Sequence, residues 1–235
     1  MRIVSIVGLV VTAMAAPVAA QTLSASAPAI VPPGTPMTAS GPASAPGETR
    51  PDPSTPNAAV ISFYTASRDG DAKAMAATLA IDEPLKALVP PLLDLSAASV
   101  RYHAALEKQF GAAAIARAKI ETPMSTAALL KEASEATPVI DGDHATLTLR
   151  GLAGGVQKIE LKRVKDQWRI DAASTLHLAN AEQVAKATKL LPVITASTRA
   201  MDEARAEIAA GKHGTPTAAQ HSLEEKLLLA AKAGE

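Results

Sequence analysis

Tyr64, Tyr102, His103, His144 and Asp171 are the side chains in this chain best placed to move a proton. General acid–base catalysis needs such a group inside a cavity, within hydrogen-bond reach of a bound substrate. Spacing narrows the set. Tyr102 and His103 are adjacent in a helical pattern, so their side chains point about 100° apart and only one can face a cavity squarely. His144 falls on the polar side of an alternating segment, which sends it to solvent. Asp171 ends such a segment, where a carboxylate commonly caps a turn. Tyr64 has a plainer role as a half-buried core aromatic. An enzyme would need an open apolar pocket with Tyr64 or His103 and a carboxylate within hydrogen-bond reach; Tyr64, His103 and Asp171 are the candidates.

Other chemistries find less support. There is no cysteine, hence no thiolate nucleophile, and no Gly-x-Ser-x-Gly elbow. Gly151 to Gly155 follows one strand pattern and opens another, whereas a phosphate loop opens a helix. His213 and His221 are separated by a glycine-proline turn and lack a second ligand cluster, so no metal is expected. Asp141 and Asp143 flank Gly142 as in a hairpin, and no calcium-loop spacing follows. No cofactor is expected. Lys158, Lys162, Arg163, Lys165 and Arg169 form a basic strip, but Glu160, Asp166 and Asp171 interleave with it, which describes a solvated sheet face. The 23 basic and 23 acidic residues balance. That argues against nucleic-acid or anionic-membrane partners, which select a basic excess.

The elements around these residues begin after a leader. Residues 1–20 carry Arg2, an uncharged apolar run and Val18-Ala19-Ala20, the pattern of a secretory signal cleaved before Gln21. The product is expected to be periplasmic or extracellular. With glutamine rather than cysteine at the cleavage site, it carries no lipid anchor. Residues 21–56 are rich in proline, alanine and serine and read as a disordered linker, too poor in apolar surface to offset its ordering entropy.

Thr55-Pro56 then reads as a cap and first helical position, and Ala59, Val60, Phe63 and Tyr64 follow at helical spacing. Gly70 breaks the pattern, and Asp71 caps a short helix through Met75 and Leu79. Asp82-Glu83-Pro84 opens a helix whose stripe runs from Leu85 through Leu92, Leu93, Leu95 and Leu106 to Phe110, with a kink or break expected at Pro90-Pro91. Gly111 ends it. Shorter helices are expected over Ala112–Lys119 and, capped by Ser125, over Thr126–Glu135.

From Pro138 the period changes from helical to alternating. Ala145, Leu147 and Leu149, then Ile159 and Leu161, then Trp168 and Ile170 alternate with polar residues, and turns stand at Asp141-Gly142-Asp143, Gly151–Gly155 and Lys165-Asp166. This is an antiparallel meander with one buried face, and Trp168 plugs the core beneath it. Beyond Asn180, whose pairing with Gln183 resembles a capping box, one helix runs to Gly211 with a kink at Pro192. Thr217 and Gln220 read as the capping pair of a last helix carrying Leu223, Leu227, Leu228 and Ala231.

NAAVISFYTASRDGDAKAMAATLA resembles the opening helices of the nuclear-transport-factor-2-like superfamily, and DGDHATLTLRGLAGGVQKIELKRVKDQWRID is similar to its closing strands, with a tryptophan followed by a basic residue, an isoleucine and an aspartate. The tail AEIAAGKHGTPTAAQHSLEEKL resembles an exported bacterial branch of the group. One departure is Lys165-Asp166-Gln167, where the hairpin usually carries a glycine. The resemblance implies an α+β fold: N-terminal helices packed on a curved antiparallel sheet (a cone) over residues 57–178, with a C-terminal helical extension over 179–235. It implies either a binding or dimerisation module or an isomerase- or dehydratase-type enzyme working inside the cone, since fold alone does not choose. The expectation set against the structure is an exported, non-enzymatic module that binds a small apolar ligand or a protein partner, with a homodimer through the sheet as one form.

Overall fold

The computed structural model describes residues 53–120, 126–150, 156–176, 178 and 180–232. The leader, the proline-rich stretch up to residue 52, the Ser125 cap and the Gly151–Gly155 turn lie outside them.

Helix α1 spans Pro56–Arg68, with the Thr55 hydroxyl accepting from the Ala58 N–H at 3.2 Å. It buries Ala59, Val60, Phe63, Tyr64 and Ala66. Gly70 turns the chain with φ +65°, where a Cβ would stand 3.0 Å from Arg101 Cγ and 3.3 Å from the Ala97 carbonyl oxygen. Both the backbone sign and the close approach therefore select glycine. Asp71 caps α2 (Ala72–Ala77), accepting from Ala74 N–H at 2.8 Å. Leu79, expected on that helix, instead begins strand β1 (Leu79–Ala80).

The next expected helix is two elements, a 3-10 turn over Glu83–Leu85 and α3 over Val89–Phe110. Pro90 and Pro91 do not kink α3; they sit in its first turn, where a missing N–H costs nothing. Gly111, at φ +78°, ends it. Helix α4 (Ala112–Arg117) stops short of Lys119, which turns left-handed at φ 54°. Helix α5 covers Thr126–Glu135.

Strands β2 (Val139–Asp141), β3 (His144–Arg150), β4 (Val156–Val164) and β5 (Gln167–Asp171) form the antiparallel meander. Its register sets Leu147 opposite Ile159 and Leu161 opposite Ile170. The sheet is nonetheless mixed. β1 adds to it in parallel, Leu79 opposite Ile170, giving the open order β1-β5-β4-β3-β2. A two-residue strand has no period to read, so alternation could not reveal it. The Lys165-Asp166 turn keeps its two-residue form without glycine, both residues adopting the left-handed region (φ 50° and 63°), as mirror-type hairpin turns require.

Helix α6 (Ala172–Thr175) leads through α7 (Ala181–Thr188) to α8 (Leu191–Ala209) and α9 (Pro216–Lys232). The single kinked helix expected from Asn180 to Gly211 is thus two, with Pro192 in the first turn of α8, as at α3. The cap of α9 is Thr215, not Thr217: its hydroxyl accepts from Ala218 N–H at 3.2 Å, with Pro216 next. α8 packs along α3, and α9 along α8.

One continuous core joins sheet and helices. Trp168, Leu147 and Ile170 beneath the sheet share it with Phe63, Met75 and Leu106, and with Met201, Ile208 and Leu223 of the C-terminal helices. Trp168 is 2% exposed, its backbone N–H bonds the Pro53 carbonyl at 2.9 Å, and the Arg163 guanidinium lies 4.7 Å over its ring. Residues 53–56, placed in the linker by composition, are part of the fold. Arg163 also leaves the basic strip. It stands opposite Trp168 on the core side of the strand end, while Lys158, Lys162 and Arg169 hold the wet face.

Candidate functional site

Three surroundings, not one pocket, hold Tyr64, His103 and Asp171. Tyr64 is 7% exposed, more deeply buried than a half-buried core aromatic. Its ring meets Phe63 edge-on at 5.7 Å. Burial pushes its phenol up to about 12, only partly offset by a hydrogen bond with Gln157 on β4. A phenol held this firmly protonated is a poor base near neutral pH.

Tyr102 and His103 lie on α3. Tyr102 is fully buried, and its hydroxyl donates to Gln220 Oε1 of α9 at 3.4 Å. Burial, with the Glu224 carboxylate adding to it, drives its phenol pKa upward. The His103 imidazole meets the Tyr102 ring edge-on at 5.5 Å. Burial lowers its pKa, and its Nδ1 is buried without a hydrogen-bond partner. Asp171 is committed elsewhere. Its Oδ1 accepts from Ala173 N–H at 3.2 Å, capping α6, and its Oδ2 lies 3.1 Å from Lys162 Nζ. Burial would lower the Lys162 pKa, but Asp171 and Asp82 outweigh it and hold the ammonium above its ordinary value.

Geometry keeps these groups apart. Gln157 and Lys162, the partners of Tyr64 and Asp171, are both on β4. Five strand residues separate them, roughly 17 Å, and an odd spacing puts them on opposite faces. His103 faces neither, being on a helix whose neighbouring tyrosine reaches α9. His144 is exposed. His213 pairs with Glu207 at 3.5 Å and His221 with Glu225 at 3.3 Å, two separate carboxylates. Among the described residues no three metal-ligating side chains gather.

Space is equally limited. Between α1, β1, α3 and α6, a cavity lined by Phe63, Leu79, Leu92 and Ala172 is about 10 Å³, barely the room of one water. A larger groove of about 600 Å³ opens between α3 and α8, lined by Pro91, Asp94, Thr198, Asp202 and Glu203 among others. Its carboxylates are largely paired: Asp202 with Arg101 at 3.3 Å and Arg205 at 3.6 Å, Glu203 with Arg199 at 2.8 Å. Sequence reasoning missed this groove, because its two walls lie about a hundred residues apart and no local pattern links them.

A second missed constellation centres on Glu207 of α8. Lys226 Nζ lies 3.3 Å from Oε1, Lys212 Nζ 3.9 Å from Oε1, and the Ser222 hydroxyl donates to Oε2 at 3.3 Å. Burial would raise the Glu207 pKa, but Lys226, Lys212 and Ser222 together hold the carboxyl below its ordinary value. No single spacing announced it, since its members come from α8, the following turn and α9.

No family model, no curated protein and no solved structure matches this chain. Among the described residues no helix is long and apolar enough to cross a membrane.

Proposed function

We propose that this chain is an exported, non-enzymatic interaction module, a curved sheet under helices of the nuclear-transport-factor-2-like kind, carried on a proline-rich leash. The observation that carries this reading is the dispersal of the acid–base candidates, which contact three different surroundings, beside a cavity between Phe63, Leu79, Leu92 and Ala172 of only about 10 Å³. A protein of this build works through its surface. The β2 edge supports that use, since Val139 and Ile140 are 71% and 52% exposed on a strand that, among the described residues, pairs only with β3, and such edges accept further strands. The partner is accordingly a protein, a second copy included, rather than a small apolar ligand housed in the core.

Native mass spectrometry of the exported protein, released gently from its host envelope, tests this. The expected spectrum shows a protein complex or a dimer with no small-molecule adduct. A stoichiometric small-molecule adduct, lost on Tyr64→Phe or His103→Gln, would place a ligand inside the fold and overturn the proposal in favour of the enzyme.

A further inference from the structure

We infer that α9 is a releasable strap, latched to α8 through Glu207 and able to open while the sheet and its core stay folded.

Three observations converge. First, α9 is thinly anchored by apolar contact. Its fully buried side chains are Ala219, Leu223, Ala230 and Ala231, and of these only Ala219 and Leu223 belong to the common core, with Leu227 on its margin. Three alanines and one leucine remove little apolar surface from water for a helix of 17 residues. Leu228 and Leu229 meanwhile remain 46% and 66% exposed. Secondly, its neighbours are few. α9 packs on α8 and touches α3, and its hydroxyl contact with Tyr102 is long, 3.4 Å. Thirdly, its polar attachment is concentrated on one carboxylate. Glu207 gathers Ser222 and Lys226 from α9 and Lys212 from the turn, while Glu203 shares Lys226 at 3.9 Å. The Glu207 side chain is 23% exposed, so these charge-assisted contacts act in a partly water-excluded setting. The connection is permissive as well: Gly211, at φ +69°, and Gly214 bracket the turn before Thr215.

An element with few buried apolar contacts and one polar anchor belongs to the low-stability end of a fold and opens as a unit. Its opening bares the Tyr102 hydroxyl and the side of α8 that α9 covers. The chain thereby holds a concealed face whose exposure depends on a single carboxylate.

Hydrogen exchange of the full chain, read peptide by peptide, tests the latch. In the wild type, α9 amides are expected to exchange faster than those of α3 and β3–β5. Glu207→Gln is expected to speed α9 exchange about tenfold, the loss of a charged hydrogen-bond acceptor, with Lys226→Met acting in the same direction. Trp168, the single tryptophan and remote from α9 in sequence, reports the core independently, and its emission and thermal midpoint are expected to hold. Two results would overturn the inference. One is α9 exchange that rises only together with exchange in the strands and a shift in Trp168 emission, which would make the opening global. The other is α9 exchange unchanged in both variants, which would deny Glu207 its role.

Discussion

Trp168 gathers more functions than any other residue. Its ring is buried in the core, Arg163 covers its face, and its backbone ties down Pro53. Trp168→Ala is expected to cost about 3–5 kcal/mol, measured by chemical denaturation, through lost burial and the cavity left behind. His103 makes a pH prediction. Burial lowers its pKa below the ordinary 6.5, so the unfolded chain binds the proton more readily. Stability should therefore rise with pH through the interval between the lowered folded value and 6.5, and be lost on acidification through it. His103→Gln should flatten that part of the stability–pH curve; an unchanged slope would show that the imidazole is not the group responsible. Residue roles were partly legible in the sequence. The alternation placed Trp168 inside and His144 outside, and the end of a strand marked Asp171 as a cap. The depth of Tyr64 and the arrival of Arg163 over the indole were hidden, because both depend on which strand end meets which helix.

At the scale of elements, the same two devices recur. The break expected at Pro90-Pro91 is there, with the prolines in the first turn of the new helix, and Pro192, expected to kink a helix, likewise starts one. Threonine followed by proline opens both α1 and α9. Local pattern showed that these breaks exist but not which side of the proline the helix takes, since the apolar stripe continues through both. The cap of α9 offers a clean discrimination. Thr215→Ala is expected to lower stability by about 1 kcal/mol, whereas Thr217→Ala, on an exposed position one residue into the helix, should be nearly silent. Hydrogen exchange of the α9 amides reads this local stability, and a larger loss at Thr217 would return the cap to the position that the Thr217–Gln220 spacing suggested. Strand β1 was beyond reach in the sequence for another reason: its pairing with β5 joins residues about ninety positions apart through two residues of strand.

For the whole molecule, the decisive fact is that α8 is not an appendage. Ile194, Met201 and Ile208 join the core that runs beneath the sheet, so a chain ending at residue 178 should expose that apolar surface and aggregate or unfold. A chain ending at residue 212 should stay folded with Trp168 buried, as circular dichroism and tryptophan emission would show. Failure of the shorter loss would make α9 part of the foundation. The apolar stripes of α3 and α8 were legible in the sequence; that the two helices pack on each other is settled by shape and volume, for which a linear pattern has no symbol.

The hydrogen bond from Trp168 to Pro53 has a mechanical meaning. Pro53 joins the fold beside β5, the strand that lies between β1 and β4 in the sheet. The segment that enters α1 is thereby fixed to the strand that holds the indole as well as to the helix that it begins. Displacing Pro53 would disturb the strand whose side chain anchors the core, and the fluorescence of Trp168 is the gauge of it.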